Sequence, residues 1–218
     1  MKRYLKSLGI IGCISFSHCS NSIHAMSFEF SPLGKSSQVE VGLSTSFAGG
    51  VIRGIFPSVG GSIDFKVANP ETTKGSVRLD ARALKFGHYK VAGDAHSIEW
   101  LDSGNFPEIS FKLDGLKNAR WRDNVLFASA SGVLRMKNRN SQFTIPVSIR
   151  YLRDQRRKID GKRGDLLVLS GEASISRTLI GINPGTMVDA VMDQIRVKIN
   201  LVGGSNQVRP FLPSALFK

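Results

Sequence analysis

A two-residue rhythm of apolar and polar side chains runs through almost the whole chain, and it constrains the fold more than any other feature. Val39, Val41, Leu43, Thr45 and Phe47 alternate with Gln38, Glu40, Gly42, Ser44 and Ser46. The same rhythm returns with Ile63, Phe65 and Val67, with Val77, Leu79 and Ala81, and with Ile109, Phe111 and Leu113. It returns again with Phe143 to Tyr151, Leu167 to Ile175, and Ile195 to Leu201. Period two places one set of side chains on each face of a strand, so each run predicts an antiparallel strand with an apolar inner and a polar outer face. Shorter strands are expected at 51–57 and 124–136. Turn residues separate the runs: Gly49-Gly50, Gly60-Gly61, Asn69-Pro70, Asn118, Asp123-Asn124, and Lys137 to Asn140. Helical signal is sparse, with one short helix expected at 94–101, capped by Asp94, and a turn or two at 186–193.

About nine strands at even spacing describe an all-β domain. Long strands joined by short turns suit a closed, antiparallel, lipocalin-like barrel of eight or more strands, whose interior holds side chains or one ligand. The inward residues are mainly Val, Ile, Leu, Phe and Ala, so any cavity is greasy. A membrane-spanning barrel would invert this arrangement and add two aromatic girdles, for which three Tyr and two Trp are too few.

The first 25 residues read as a secretory signal peptide. Lys2, Arg3 and Lys6 form its basic start, and Leu8 to Phe16 its apolar stretch. Ser20-Asn21-Ser22 and Ile23-His24-Ala25 are the candidate cleavage triplets. Residues 26–203 are then the barrel and 204–218 a tail, and the expected location is periplasmic, or secreted where there is no outer membrane. Both cysteines, Cys13 and Cys19, fall in the leader, which leaves the exported part without disulfide, thiol nucleophile or thiolate metal site.

The formal net charge of +13 invites a nucleic-acid reading, but the charge is localised. Three positive charges leave with the leader. Arg150 to Arg163 concentrates seven basic and two acidic residues in an expected hairpin extension. The phenylalanines lie on apolar faces rather than among the basic residues, unlike a stacking platform for bases. Arg153, Arg156, Arg157, Lys158, Lys162 and Arg163 are instead candidate contacts for an anionic lipid surface. No G-x-S-x-G elbow or phosphate-binding glycine loop occurs, and His88 and His96 alone do not make a metal site. No catalytic residue, metal or cofactor is assigned.

Several segments resemble the YceI family of exported, lipocalin-like, polyisoprenoid-binding proteins. The resemblance spans roughly residues 28–203 and is sharpest in Asp94 to Asp102 (DAHSIEWLD) with Asn105 to Phe111 (NFPEISF). Ser174 to Ile182 (SISRTLIGI), Gly54-Ile55-Phe56 with Gly61 to Phe65, and Gly132-Val133-Leu134 with Ile145-Pro146-Val147 are similar to further family stretches. The resemblance implies non-enzymatic binding, storage or transport of a long isoprenoid or quinone-like lipid in an apolar tunnel. Val41, Leu43, Phe47, Phe56, Phe65, Val67, Leu79, Trp100, Phe106, Phe111, Phe143, Ile145, Ile175 and Ile199 are expected to line it. His96 and Arg177 are expected at the lipid head group. A homodimer is compatible with this reading, and the alternative function is an envelope binding module that works through the basic hairpin.

Overall fold

A computed structural model describes residues 25–45, 50–182 and 191–209. Eleven strands form one antiparallel sheet: β1 (Met26–Glu29), β2 (Gln38–Thr45), β3 (Val51–Phe56), β4 (Gly60–Phe65), β5 (Lys74–Asp80), β6 (Lys85–Phe86), β7 (Glu108–Arg122), β8 (Val125–Met136), β9 (Arg139–Leu152), β10 (Leu166–Ser176) and β11 (Val191–Gly204). Helices α1 (Tyr89–His96) and α2 (Arg157–Asp160) interrupt them. The hydrogen-bonded order β1-β4-β5-β7-β8-β9-β10-β11 closes on itself where Glu29 of β1 meets Gly204 of β11, making an eight-stranded barrel. β2 pairs with β11 beside that closure, and β3 and β6 extend the wall outward from β2. Closure leaves the eight ring strands with partners on both sides, and the sheet's remaining edge is the short stretch formed by β6 and the start of β3.

The alternation maps onto this wall as expected. Ile145, Val147 and Ile149 of β9 are buried, whereas Thr144 and Pro146 on either side of Ile145 are exposed. Two hairpins are set by their turn residues. Asp123 and Asn124 take positive φ between the paired Arg122 and Val125. Lys137 and Asn138 do the same between Met136 and Arg139. Left-handed geometry at both central residues is what a two-residue type I′ turn requires, and Asp and Asn tolerate it.

The structure corrects several local expectations. The described residues hold eleven strands rather than about nine, because β1 and β6, at four and two residues, are too short to stand out in the sequence. Asn118 does not end a strand; at φ 54° it sits in a bulge where Asn118 and Ala119 oppose Ala128 alone, and β7 continues to Arg122. The short helix covers Tyr89–His96, so Asp94 lies inside it and His88 precedes it. Residues 191–193 of the second expected helix belong to β11, and 186–190 lie outside the described residues, as does the expected leader apart from Ala25. The basic segment is not a two-stranded extension: β9 stops at Leu152, and a loop bearing α2 folds back before β10 begins at Leu166.

The core fills one half of the barrel. Phe28, Phe30, Phe65, Leu116, Leu126, Ile149 and Leu167 are almost fully buried toward the end that carries the β9–β10 loop. Phe28 meets Tyr151 edge-on at 6.0 Å and Phe65 meets Trp121 at 6.5 Å, ring arrangements that fill space efficiently. A buried polar hub closes this end. The Asp165 carboxylate is fully buried and accepts from the Tyr151 hydroxyl, the Asp154 amide (2.7 Å) and the Arg209 amide (2.9 Å). Burial first, and then the neighbouring carboxylate, push the Tyr151 hydroxyl far above its ordinary value, so it stays a donor. The start of the tail packs here too, with Ser205 and Arg209 buried, while 210–218 lie outside the described residues. Gly164 permits the close approach: a Cβ there would stand 1.8 Å from the Ser205 carbonyl oxygen, at a φ of 148° that side chains rarely adopt.

Candidate functional site

The opposite half of the barrel is hollow. A cavity of about 460 Å³ lies where the β8–β9 hairpin, the start of β7 and the end of β10 converge. Alternate residues of six barrel-wall strands supply its sides: Val39, Val41 and Leu43 from β2, Ile52 and Phe56 from β3, Leu79 from β5, Ile109 from β7, Leu134 and Met136 from β8, and Ile195 and Val197 from β11. Phe143 of β9, Ile175 of β10, Val191 of β11, Leu84, Phe86 of β6, Ile180 and Ile182 complete the wall, and Val91 and Ala95 of α1 with Trp100 and Leu101 cover it. The polar side chains on the lining are Asp94, Ser97 and Glu99, on or just after the helix. An apolar hollow with a few polar groups at one side is the usual form of a small-molecule site.

The connection between β5 and β7 is tied to the wall by identifiable contacts. Gly54 makes room for Phe86 and Leu84, since a Cβ there would stand 2.7 Å from the Phe86 ring and 2.9 Å from Leu84. His96 then latches the end of α1. Its Nε2 lies 3.1 Å from the Leu84 carbonyl oxygen and its Nδ1 3.0 Å from the Ser103 hydroxyl. A carbonyl can only accept, so Nε2 carries the proton and, in a neutral ring, Nδ1 accepts from Ser103. Lys137 of the hairpin donates to the carbonyls of Ile98 (3.1 Å) and Trp100 (2.7 Å), holding the covering turn. Arg177 is wholly buried beneath it, with its guanidinium 5.7 Å from the Trp100 ring centre and an Nη2 donating to the Val191 carbonyl at 3.2 Å.

The structure separates the residues expected from the sequence. Val41, Leu43, Phe56, Leu79, Trp100, Phe143 and Ile175 meet at the cavity. Phe65, Val67 and Ile145 point inward but belong to the packed core and not to the lining. Phe111 is spent on an edge-on contact with Phe143 at 6.2 Å, and Ile199 packs on the core. Phe106 is half-buried outside the cavity, and Phe47 lies outside the described residues. The head-group assignments are corrected. Both ring nitrogens of His96 are committed to the latch, and Arg177 is beneath the cover rather than on the lining. Arg156 is corrected as well: it is 2 % exposed, bonded to Asp160 at 2.9 Å and to Asn206 at 2.6 Å, and so presents no charge to an outside surface. Arg153 gives its Nε to the Arg209 carbonyl, while Arg157, Lys158, Lys162 and Arg163 remain exposed.

Residues missed from the sequence include Ile52, Leu84, Phe86, Leu134, Met136 and Val197. Most carried the right alternation, but nothing in it marked their height along the barrel. Those of the β5–β7 connection carried no alternation at all.

The model of the YceI-like domain matches residues 31–203, which is most of the chain. This chain belongs to the YceI-like family. Solved structures carry the same fold. A TM-score of 0.61 relates this YceI-like chain to BcnA of Burkholderia cenocepacia, at 17% identity over 76% of this chain and 95% of that one. A polyisoprenoid binding domain from Saccharophagus degradans, implicated in plant cell wall breakdown, aligns with a TM-score of 0.60 and 8% identity over 84% and 99% of the two chains. The Campylobacter jejuni YCEI protein aligns at 0.58 with 15% identity over 71% and 85%. Among curated protein sequences none matches.

Proposed function

We propose that this chain binds an isoprenoid or similar lipid in its cavity and carries or stores it in the cell envelope, without catalysing a reaction on it. The observation that carries the reading is the hollow half-barrel, walled by aliphatic and aromatic side chains from β2, β3, β5 and β7 to β11. Such a wall offers a prenyl chain burial and no competing hydrogen bonds. At about 30 Å³ per water-sized group, the cavity has room for roughly 15 carbon-sized groups, or about three isoprene units. Burying that length at about 0.8 kcal/mol per CH₂ yields roughly 12 kcal/mol before the cost of association, which takes back at least about 4 kcal/mol. A longer chain would leave its remainder at the mouth. Membership of the YceI-like family, and likeness in fold to a domain described as polyisoprenoid binding, support the same reading. A neutral head group, a quinone or a hydroxyl, suits Ser97 beside the carboxylates of Asp94 and Glu99 at the lip.

The basic start and apolar stretch of the first 25 residues support export, and with it a site of action in the periplasm or outside the cell. The lipid is the ligand itself, so no cofactor is assigned. Organic extraction of the purified protein followed by mass spectrometry tests the proposal. A prenyl lipid recovered in fixed proportion to protein is the expected result. A barrel that comes out empty and takes up no prenyl alcohol would overturn it.

A further inference from the structure

Five residues form an arc around the cavity mouth. The β8–β9 hairpin stands at its centre with Lys137 and the exposed Arg139. On one side is Ile98, 70 % exposed, whose carbonyl is held by Lys137 at 3.1 Å. On the other is Leu179, 69 % exposed, whose carbonyl faces the Ser141 hydroxyl of the same hairpin at 3.5 Å. Arg139 lies against Gly181 in the turn that bears Leu179; its Nε is 2.7 Å from where a Cβ would stand. Thr178, beside Leu179, donates its amide and hydroxyl to Asp193 at 3.1 and 2.7 Å, which brings in the neighbouring Met192, 53 % exposed. Hydrogen bonds therefore fix the placement of these apolar tips, and among the described residues all three remain exposed. Single exposed apolar residues are ordinary, whereas three set around the opening of an apolar cavity form a patch with a use.

We infer that this arc is a membrane-docking surface, with which the barrel sets its mouth on an anionic lipid bilayer to load or deliver its ligand. The inference rests on the lipid-binding reading for its purpose but on the rim alone for its geometry. The surface is continuous with the cavity: Trp100, whose carbonyl accepts from Lys137 at 2.7 Å, also lines it. A prenyl chain passing through water would expose all the surface that the cavity buries, and a mouth seated in the head-group layer avoids that step. Ile98, Leu179 and Met192 would enter the layer as apolar tips, while Lys137 and Arg139 meet lipid phosphates, the division of labour of an interfacial anchor. Asp94 and Glu99 stand on the cavity side of the arc, so the apolar tips carry the larger share.

The arc also relocates the contact expected from the sequence. β9 runs from Arg139 at the mouth to Leu152 at the closed end, so the basic loop with Arg157, Lys158, Lys162 and Arg163 lies at the far end of the barrel from the opening. A bilayer bound there would leave the mouth in water.

Flotation of the full mature chain with vesicles of phosphatidylethanolamine and phosphatidylglycerol tests the inference, alongside binding of farnesol in free solution. Exposed Ile98 and Leu179 line no part of the cavity, so I98D/L179D is expected to fold and to bind farnesol as the wild type does. Its partition to vesicles should fall by at least about ten-fold, from the loss of two buried apolar tips. R157E/K158E at the far end should leave partition unchanged. Vesicle binding that survives I98D/L179D, that disappears only with R157E/K158E, or that is absent in the wild type overturns the docking inference. Mouth-dependent vesicle binding by a chain that takes up no farnesol leaves docking standing and removes the carrier reading instead.

Discussion

Replacing Val197 by Trp probes the cavity directly. Val197 lies in the middle of β11, opposite Val41 and Ala173, and its side chain faces the hollow. Tryptophan adds about seven side-chain atoms, which at about 30 Å³ each occupy roughly 200 Å³ of the void. That is close to half of the 460 Å³. A 15-carbon alcohol would then lose burial of about seven carbons, a ceiling of roughly 5–6 kcal/mol at about 0.8 kcal/mol per CH₂. Association costs are common to both proteins and cancel. Half of that ceiling is already on the order of 100-fold in affinity. Titration of farnesol followed by intrinsic fluorescence should therefore show at least a 100-fold loss, while geraniol, five carbons shorter, loses much less. Because the new ring enters empty space, the thermal midpoint should hold or rise, unlike the overpacking of a filled core. An unchanged farnesol affinity with an unchanged midpoint would refute the assignment of this hollow as the ligand site.

The packed half should respond in the opposite way. Leu126→Ala, at a fully buried position, should cost about 2–5 kcal/mol in urea unfolding and leave farnesol affinity of the folded fraction unaltered. Asp165→Ala leaves the Tyr151 hydroxyl and two amides without their buried acceptor; a loss of about 2–4 kcal/mol is expected, and Tyr151→Phe, which removes one donor, should lose less. His96→Ala should free the end of α1 from Leu84 and Ser103, weakening farnesol binding several-fold and speeding amide exchange over 89–101. Acid should unfold the protein partly through two carboxyls held below the ordinary value of 3.8. Asp160 is lowered chiefly by hydrogen bonding to the Arg156 guanidinium, and Asp193 by the hydroxyls of Ser176 and Thr178. A lowered folded value adds stability that is complete above the unfolded value and is lost as pH falls through the folded one. Asp160→Asn should accordingly flatten the fall of the urea midpoint below about pH 4.

The alternation read from the sequence determined a closed antiparallel barrel with a greasy interior, because period two leaves one face of each strand nothing to meet but another apolar face. The Asp-Asn and Lys-Asn pairs at the hairpin tips were legible for the same kind of local reason: few residue pairs accept two successive left-handed conformations. Height along the barrel was not legible. Phe65 and Phe56 obey the same rule of alternation, yet one is packed under Trp121 and the other walls a void. That difference depends on how far each strand is staggered against strands distant in sequence. Charge was misleading where it was densest, since Arg156 reads as part of an exposed basic run until Asp160 and Asn206, the second of them fifty residues away, enclose it. His96 likewise stood out as a polar group in a ligand-facing segment, and only the approach of Leu84 and Ser103 turned it into a latch. By itself the sequence determined which side chains point inward. The tertiary structure decided which of them touch one another and which are left facing empty space, because that choice rests on register and closure, and these are properties of the whole ring of strands.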